Sequence, residues 1–431
     1  MTIASPIPKS PRSEAQRRSG RQIVAASVGN VVEWYDWYTY SFLAVFFSAQ
    51  IFHTDDKVAS LLSSFAVFAV GFFMRPVGGL VLGSLADKLG RKNILTLTIL
   101  LMGASSLLIA IVPTYAQVGV LSPILLVLAR LIGGFSVGGE FAANSTFLVE
   151  SAPPGRRGLF ASFQYVSTTI GQLIASGFAA ILAVSLSSAD LTSWGWRLPF
   201  VLGAVLSLVG LVIRRTASET TAVPEKKQDR PKLFEAIIHH PKASLLICGV
   251  TIAGTIAYYT WTTYLPTYAQ QNGGVDPAKA LLVSTIALIF FALIQPVFGI
   301  LSDRVGRKPL LLAFSGIFAL GIVPALAYVR SGPSFAGLLL LTLAGMVVVT
   351  GYTSIGVAVN AELFPARVRA AGIGFPYSLT VAAFGGTAPF MGTLFKDVGR
   401  PELFGWYAAA LAVVSFIVYL RMAETARKEL D

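Results

Sequence analysis

The amino-acid sequence predicts an all-α integral membrane protein with twelve transmembrane helices in two six-helix halves. Its 431 residues are 55% hydrophobic and only 13% charged, with a mean hydropathy of +0.70, whereas a soluble domain carries about 25% charged residues. Apolar runs of roughly 20 residues, the length needed to cross a bilayer, recur along the whole chain. Because backbone groups in lipid must bond to one another, each run is predicted to be a helix.

An internal repeat predicts the two halves. The segment GSLADKLGRK at 83–92 returns as GILSDRVGRK at 299–308, 216 residues later. The related segments 150–158 and 362–372 each follow a predicted fourth helix of a half. Repeats of this kind in an apolar chain are typical of secondary transporters.

The apolar runs predict where the helices lie, and the positive charges predict their orientation in the membrane. We expect helices at 22–50, 58–84, 93–113, 121–149, 158–186, 195–214, 244–270, 280–299, 309–329, 335–361, 371–395 and 403–421. They divide the chain into a tail 1–21, an N-terminal half 22–215, a linker 216–243, a C-terminal half 244–421 and a tail 422–431. With both termini in the cytoplasm, 25 of the 33 lysines and arginines lie on the cytoplasmic side, as the positive-inside rule requires.

Other classes of protein are disfavoured. The basic residues follow the predicted topology, so they do not indicate nucleic-acid binding. The sequence has no nucleotide-binding loop, nucleophile elbow or metal cluster, so we expect neither an enzyme nor a cofactor. Cys248 is the single cysteine and the three histidines fall in loops, which excludes a histidine proton relay inside the membrane. The first apolar run is too long and too charged for a cleavable signal peptide.

Away from the ends of the predicted spans there are five charged residues, all in the first half: Glu33, Asp36, Arg75, Arg130 and Glu140. Each is a functional candidate, because a charge at membrane depth is costly unless it is paired or hydrated. From a rise of about 1.5 Å per residue, Glu33, Arg75 and Glu140 share a layer near the midplane. Asp36 lies one turn above Glu33 on the same face, and Arg130 is closer in level to Asp36 than to Arg75.

This arrangement suits a small organic anion moved together with protons. Arginine grips a carboxylate with a planar fork and stays charged, so Arg75, with Arg130, is the candidate substrate anchor. A buried carboxylate can titrate, so Glu33, Asp36 or Glu140 is the candidate proton carrier. We hypothesise that protonation of the acid frees its arginine for the substrate. The alternative is that these residues form permanent structural ion pairs.

Neutral side chains of the helices complete the candidate site. Tyrosine and glutamine donors can bond to the oxygens of an organic acid, although such residues also serve in packing between helices. The candidates are Gln164, Tyr165, Gln172, Tyr258, Tyr259, Trp261, Gln295, Tyr352 and Tyr377. Pro266 is expected to open the seventh helix locally.

The chain resembles the major facilitator superfamily over its whole length, through its two GxxxD[KR]xGR[KR] turns. It is similar to the metabolite:proton symporter family in GNVVEWYD at 29–36, RPVGG at 75–79 and SVGGE at 136–140. SFQY at 162–165, GWRLPF at 195–200, TTY at 262–264 and AELFPARVR at 361–369 look most like the alpha-ketoglutarate permease branch. That branch implies a dicarboxylate substrate, while other relatives take citrate, shikimate, proline or betaine.

The resemblance also implies a gate. Asp87, Arg91 and their repeats Asp303 and Arg307 would form cytoplasmic ion pairs that hold the outward-open state. Their partners would be Glu150, Arg156, Glu362 and Arg367. Topogenic charge alone would explain the lysines and arginines, but it would not explain the acids.

The sequence as a whole predicts a proton-coupled importer of a small organic anion, with 2-oxoglutarate or a related dicarboxylate as the first choice. We expect a monomer in the lipid bilayer of the bacterial inner membrane, working by alternating access. A symporter for a zwitterionic osmolyte is the rival within this class, because a cluster of aromatic residues suits a quaternary ammonium group. The cluster consists of Trp34, Tyr35, Trp37, Tyr38 and Tyr40. A membrane metabolite sensor is the rival from another class, although the linker 216–243 is short for a signalling domain.

Overall fold

The computed structural model describes residues 11–53, 56–89, 91–138, 140–216, 238–365 and 368–426. They form helices and no strand. Most of the predicted linker and the outermost parts of both predicted tails lie outside these ranges. The helical units follow the order predicted from the hydropathy pattern.

Six helical units form the N-terminal half. They are α1 (Pro11–Ile51), α2 (Lys57–Leu89), α3 (Arg91–Ile111), α4a (Leu121–Val137) with α4b (Glu140–Glu150), α5 (Arg157–Ser185) and α6 (Leu198–Thr216). Short helices at Tyr115–Val118 and Ser188–Ser193 lie in the connections. The structure thus begins α1 at Pro11, earlier than the predicted 22, and divides the fourth unit after Val137.

Six further units form the C-terminal half. They are α7a (Pro241–Tyr258) with α7b (Leu265–Gly273), α8 (Pro277–Val305), α9 (Lys308–Arg330), α10a (Phe335–Thr353) with α10b (Gly356–Glu362), α11a (Arg369–Thr380) with α11b (Ala388–Asp397), and α12 (Leu403–Arg421). A π-helix at Tyr259–Tyr264 joins α7a to α7b, and another at Val381–Gly386 leads from α11a to α11b. The first opening, predicted at Pro266, lies in the turn just before that proline, which has no N–H to donate.

The described helices have the lengths and surfaces that a bilayer requires. Nine of them are long and apolar enough to span a membrane, and Thr96–Ile111 and Leu121–Val137 are shorter apolar helices. Large apolar side chains such as Leu245, Leu293 and Leu320 are exposed on the outside of the bundle. Together with α1, which holds the first predicted span, these units are consistent with twelve membrane helices.

Glycines bring α2 and α4 into backbone contact. A Cβ atom added to Gly134 would lie 1.9 Å from the carbonyl oxygen of Gly71, and one added to Gly138 would lie 2.0 Å from that of Arg75. Small residues at such crossings let two membrane helices approach closely. The contact holds the backbone of Arg75 against α4.

The two halves meet along several pairs of helices, among them α5 with α8, α2 with α11, α4b with α10b and α11a, and α1 with the middle of α7. At one end of the α5–α8 pair, a Cβ atom on Gly158 would lie 2.6 Å from the carbonyl oxygen of Gly299. Further along, Thr285 donates a hydrogen bond of 3.1 Å to Ser176. On the α2–α11 pair, a Cβ atom on Gly386 would lie 2.7 Å from the ring of Phe72. The centre of the molecule is therefore enclosed by contacts between the halves.

Candidate functional site

Two ion pairs lie inside the N-terminal half. Nη2 of Arg75 on α2 is 3.4 Å from Oε1 of Glu33 on α1. Nη1 of Arg130 on α4a is 3.1 Å from Oδ2 of Asp36, and the hydroxyl of Ser106 donates to Oδ1 of the same carboxylate. All four charged side chains are buried. The level expected for Arg130 from helical rise agrees with its pairing to Asp36.

Aromatic rings surround both arginines. The Cζ atom of Arg75 lies 4.5–4.8 Å from the ring centroids of Phe72, Trp34 and Trp37. That of Arg130 lies 4.3 Å from the centroid of Tyr40. Each such contact stabilises a desolvated cation by up to about 2 kcal/mol. The guanidinium of Arg75 therefore keeps favourable contacts when its carboxylate partner becomes neutral.

Both guanidinium groups have unused donors. Among the residues that the structure describes, no hydrogen-bond acceptor is within reach of Nε of Arg75 or of Nε and Nη2 of Arg130. A buried donor without an acceptor costs about 1–3 kcal/mol, and more when it is charged. An incoming carboxylate would recover that energy.

A small cavity lies between the halves near Arg75, and we call it the central cavity. Its wall consists of Trp34, Phe141, Tyr165, Thr168, Thr255, Tyr258, Tyr259 and Tyr377. The ring of Phe72 packs on the Tyr259 ring at 5.5 Å between centroids and also contacts the Arg75 guanidinium. The remaining space holds about one water molecule, so the halves must separate before anything larger can enter.

Four predicted residues line this cavity: Tyr165, Tyr258, Tyr259 and Tyr377. The ring of Tyr377 stacks on the ring of Phe141, which also lines the cavity, with 4.0 Å between the ring centroids. The side chain of Glu140, the residue before Phe141, is outside what the structure describes. Thr255 was missed by sequence reasoning, although it lies one helical turn before Tyr259 and shares its face.

Asn30 fixes Trp34 in the cavity wall. The indole Nε1 of Trp34 donates to Oδ1 of Asn30 at 3.0 Å, and the amide of Asn30 donates to Ser167 at 2.7 Å and Thr168 at 3.1 Å. Gln164, predicted to bind substrate, donates to the same Oδ1 at 3.3 Å. Gln164 thus helps to position Trp34 through Asn30 and does not itself belong to the described lining of the cavity. The sequence signal for Asn30 was its place in the GNVVEWYD segment.

A hydrogen-bond chain crosses the halves at the π-helix of α7, and we call it the Gln172 bridge. The hydroxyls of Tyr38 and Tyr258 are 2.7 Å apart, and Tyr258 donates to Oε1 of Gln172 at 3.2 Å. Nε2 of Gln172 donates to the carbonyl of Thr262 at 2.6 Å. Gln172 and Tyr258 were both predicted to contact substrate. In the present conformation, their polar side-chain atoms form the hydrogen bonds of this bridge.

Gln295, another predicted ligand, bonds within the C-terminal half. Its Nε2 donates to Thr353 on α10a at 2.8 Å. Gln295 does not belong to the described wall of the central cavity. Its buried amide ties α8 to α10a.

A second small cavity lies within the N-terminal half, between α1, α3, α4a and α6. Glu33 lines it together with Gly29, Thr98, Ser136 and Gly210, among others. The hydroxyl of Ser136 donates to the carbonyl of Thr98 at 2.6 Å. Glu33 therefore borders this second cavity as well as contacting Arg75.

Charged residues close one end of the bundle, which we call the charged-turn side because it carries the 299–308 turn. Nη1 of Arg307 is 2.9 Å from Oδ1 of Asp303, and its Nη2 is 3.2 Å from Oε1 of Glu362. Asp303 also accepts hydrogen bonds from the backbone N–H groups of Gly158 at 2.8 Å and Leu159 at 3.0 Å. These bonds join the start of α5 to the end of α8, and so join the two halves.

The predicted partners on this side need one correction. Arg156 lies before the first turn of α5 with φ of −127° and is exposed, whereas Nη1 of its neighbour Arg157 is 3.9 Å from Oε1 of Glu362. Glu150 bonds to Arg369. Arg367 and the side chains of Asp87 and Arg91 lie outside what the structure describes, so the first-half ion pair stays a prediction.

Comparisons with known proteins agree with this architecture. Residues 26–282 match the family model "Major Facilitator Superfamily", and residues 218–431 match "Sugar (and other) transporter". The chain belongs to the major facilitator superfamily. This facilitator is accordingly a multi-pass inner-membrane transporter, and it is not an enzyme.

Several bacterial relatives are similar to this facilitator over most of its length. It is 40% identical to the alpha-ketoglutarate permease of Escherichia coli (strain K12) over 410 residues, 95% of each chain. It is 33% identical to the proline/betaine transporter of Salmonella typhimurium over 427 residues, 95% of this chain and 84% of that one. The partially occluded inward-open xylose transporter XylE from E. coli has a TM-score of 0.75 at 20% identity, covering 96% of this chain and 99% of that one. That structural likeness shows the fold.

Proposed function

We propose that this facilitator imports a small organic anion together with protons, and that 2-oxoglutarate or a related dicarboxylate is its substrate. The observation that carries this proposal is the environment of Arg75. Its guanidinium is buried beside the central cavity, paired with Glu33 and left with an unused Nε donor. A fixed cation with a spare donor next to a closed cavity suits a carboxylate ligand.

Glu33 is our choice for the proton carrier. Protonation removes its charge, which breaks the ion pair with Arg75 and releases Nη2 for the substrate. Arg75 remains stabilised by three aromatic rings, so the substrate carboxylate replaces Glu33 as its counter-ion. The small, mostly apolar cavity of the N-terminal half also borders Glu33, and in this scheme it is the space through which a proton reaches that carboxylate. Asp36, held by both Arg130 and Ser106, serves in this scheme as a structural partner.

Alternating access then depends on the contacts at the two ends. The Arg307 network closes the charged-turn side, which the positive-inside rule places in the cytoplasm with both termini. The Gln172 bridge closes the opposite side. Each turnover would break one set while the other holds, as rocking of two halves about a central site requires.

The relatives support the substrate class without deciding it. The alpha-ketoglutarate permease shares 40% of its aligned residues with this chain, whereas the citrate-proton symporter of Salmonella typhi shares 32%. The aromatic wall of the central cavity favours a second candidate, a zwitterion such as proline or betaine, because tyrosine and tryptophan faces attract ammonium cations, including quaternary ones.

Uptake into proteoliposomes tests the substrate. The purified protein is reconstituted, and accumulation of radiolabelled 2-oxoglutarate is followed with and without an inward proton gradient. Unlabelled succinate, citrate, shikimate, proline and betaine serve as competitors. Gradient-driven uptake that only dicarboxylates inhibit supports the proposal; transport of betaine or proline in place of 2-oxoglutarate rules out the assigned substrate.

Two isosteric variants test the proton carrier. Glu33→Gln mimics a permanently protonated Glu33, so it should lose proton-driven accumulation while keeping exchange of labelled for unlabelled substrate, which needs no net proton movement. Asp36→Asn is the matched control one turn away, and we expect it to keep coupling at a lower thermal stability. The reverse result, with only Asp36→Asn uncoupled, would reassign the proton to Asp36.

A further inference from the structure

The wall of the central cavity contributed by the C-terminal half carries two hydroxyls whose role is not explained by packing. Oγ1 of Thr255 and the hydroxyl of Tyr259 have no hydrogen-bond partner among the described residues. Their side chains are 4% and 2% exposed, and both line the central cavity. Buried hydroxyls are normally bonded, so each unsatisfied one calls for an explanation.

The other polar groups of the same wall are engaged. Thr168 accepts from Asn30, and Tyr258 bonds to Tyr38 and Gln172. The hydroxyls of Tyr165 and Tyr377 bond to each other. Among the described residues that line the cavity, the unsatisfied hydroxyls are therefore those of Thr255 and Tyr259. These residues are four apart in sequence, and positions four apart on a helix lie on one face, so their side chains form one patch.

The helix opposite makes room for this patch. A Cβ atom added to Gly385, in the π-helix of α11, would lie 2.2 Å from Oγ1 of Thr255 and 2.6 Å from the ring of Tyr259. A side chain at residue 385 would displace both groups. Glycine there, together with the π-helix that begins at Tyr259, keeps the two hydroxyls in the cavity wall.

We propose that Thr255 and Tyr259 form a neutral subsite that binds the second acidic group of a dicarboxylate while Arg75 binds the first. This inference rests on the proposed function and names the residues that distinguish a dicarboxylate from a monocarboxylate. Two hydroxyl donors satisfy a carboxylate without adding another positive charge. The wall of the C-terminal half thereby reads the far end of the substrate, and the charged wall of the N-terminal half holds the near end.

A pair of ligands that differ only in the far carboxylate tests this subsite. The dissociation constants of 2-oxoglutarate and 2-oxopentanoate are measured by calorimetry on the purified full-length protein. The variants are Tyr259→Phe and Thr255→Val, which remove the hydroxyls and keep the shape. Thr260→Val is the matched control, because Thr260 lies in the same π-helix as Tyr259. Its buried hydroxyl has no hydrogen-bond partner among the described residues, and Thr260 does not line the cavity.

We expect Tyr259→Phe and Thr255→Val each to weaken 2-oxoglutarate binding about 10-fold or more, the scale of a lost hydrogen bond to a charged group. Binding of 2-oxopentanoate should stay within about twofold of wild type in both variants, and Thr260→Val should leave both ligands unchanged. Equal weakening of both ligands would overturn the subsite, since the hydroxyls would then act on the near carboxylate. Unchanged 2-oxoglutarate binding by both variants would also overturn it. If the wild-type protein does not bind 2-oxoglutarate at all, the proposed function fails and the subsite fails with it.

Discussion

Arg307 and Glu362 lie 3.2 Å apart although 55 residues separate them in sequence, and both side chains are buried. Glu362 also accepts a hydrogen bond of 2.6 Å from Thr425, beyond the end of α12. One carboxylate thus connects the end of α10b, the start of α9 and the segment after α12.

Glu362→Gln should destabilise this side of the protein. The change removes one counter-ion of a buried arginine, and breaking a buried ion pair costs about 3 kcal/mol. We expect a lower midpoint of thermal unfolding in detergent. Glu402→Gln, which neutralises an exposed carboxylate before α12, is the control. Equal midpoints for the two variants would contradict the structural role of the Arg307–Glu362 pair.

Gly134→Ala should also destabilise the protein, because the new methyl group would overlap the carbonyl of Gly71 on α2. Overpacking of this kind costs about 1–3 kcal/mol, and the displaced segment carries Arg75. Gly321→Ala on α9 is the control, because a Cβ atom there meets nothing within 4 Å. It should raise helix stability by up to about 1 kcal/mol. Thermal midpoints measured side by side check both expectations; the α2–α4 contact would be unimportant if Gly134→Ala behaved like Gly321→Ala.

Gln172→Ala should open the side opposite the charged turns. The change removes the bond to the Thr262 carbonyl and one partner of Tyr258. Spin labels are attached at Ser188→Cys and Ser331→Cys in a Cys248→Ser background. Double electron–electron resonance spectroscopy should then report a longer distance between the two labels, and so between the halves. Gln295→Ala removes a buried amide that bonds within one half and should leave that distance unchanged. If the two variants gave the same distance distribution, the Gln172 bridge would not act as a closure.

Low pH should weaken the contacts that hold the segment after α12 to the start of α9. Partial burial alone would raise the pKa of Glu424, but its carboxylate accepts N–H bonds from Arg307, Lys308, Thr425 and Ala426, which lower that pKa below its ordinary value. A lowered pKa in the folded state stabilises the fold above the unfolded pKa of about 4.3, and this stabilisation is lost as the pH falls through the folded value.

Glu424→Gln should therefore unfold at a lower temperature than wild type at pH 7. The difference should shrink as the pH falls below about 4. Thermal unfolding over a pH series in detergent measures it, with Glu402→Gln as the exposed control. A difference that stays constant down to the lowest pH would show that the charge of Glu424 is not what holds the segment.

The sequence sufficed for the architecture because its signals are long and periodic. Twelve apolar runs, a repeated turn and the distribution of positive charge predicted the helical units that the structure shows. Helical rise alone placed Arg130 closer in level to Asp36 than to Arg75, and the structure pairs Arg130 with Asp36 at 3.1 Å. Depth along a helix is set by counting residues, so it can be read without knowing the neighbours.

The direction in which a side chain points around its helix axis could not be predicted in the same way. Gln172 and Gln295 were predicted to face the substrate, yet Gln172 bonds to the π-helix of α7 and Gln295 to Thr353. Thr255 was missed because a threonine in an apolar helix commonly bonds to a carbonyl of its own helix and so does not by itself indicate a site. At the start of α5, Arg156 was predicted to belong to the network of ion pairs, but Arg156 is exposed and its neighbour Arg157 pairs with Glu362. One residue changes the direction of a helical side chain by about 100°.

The two π-helices have a consequence for how the halves can move. A π turn holds one residue more than an α turn. Converting the turn at Tyr259–Tyr264 into α-helix would advance α7b by about 1.5 Å and rotate it by about 100°. That rotation would carry Tyr264 away from Thr393, to which it now bonds at 3.3 Å. The seventh and eleventh units can thus change their contacts by a screw motion about their own axes, with no bend of the helix and no loss of membrane-spanning length.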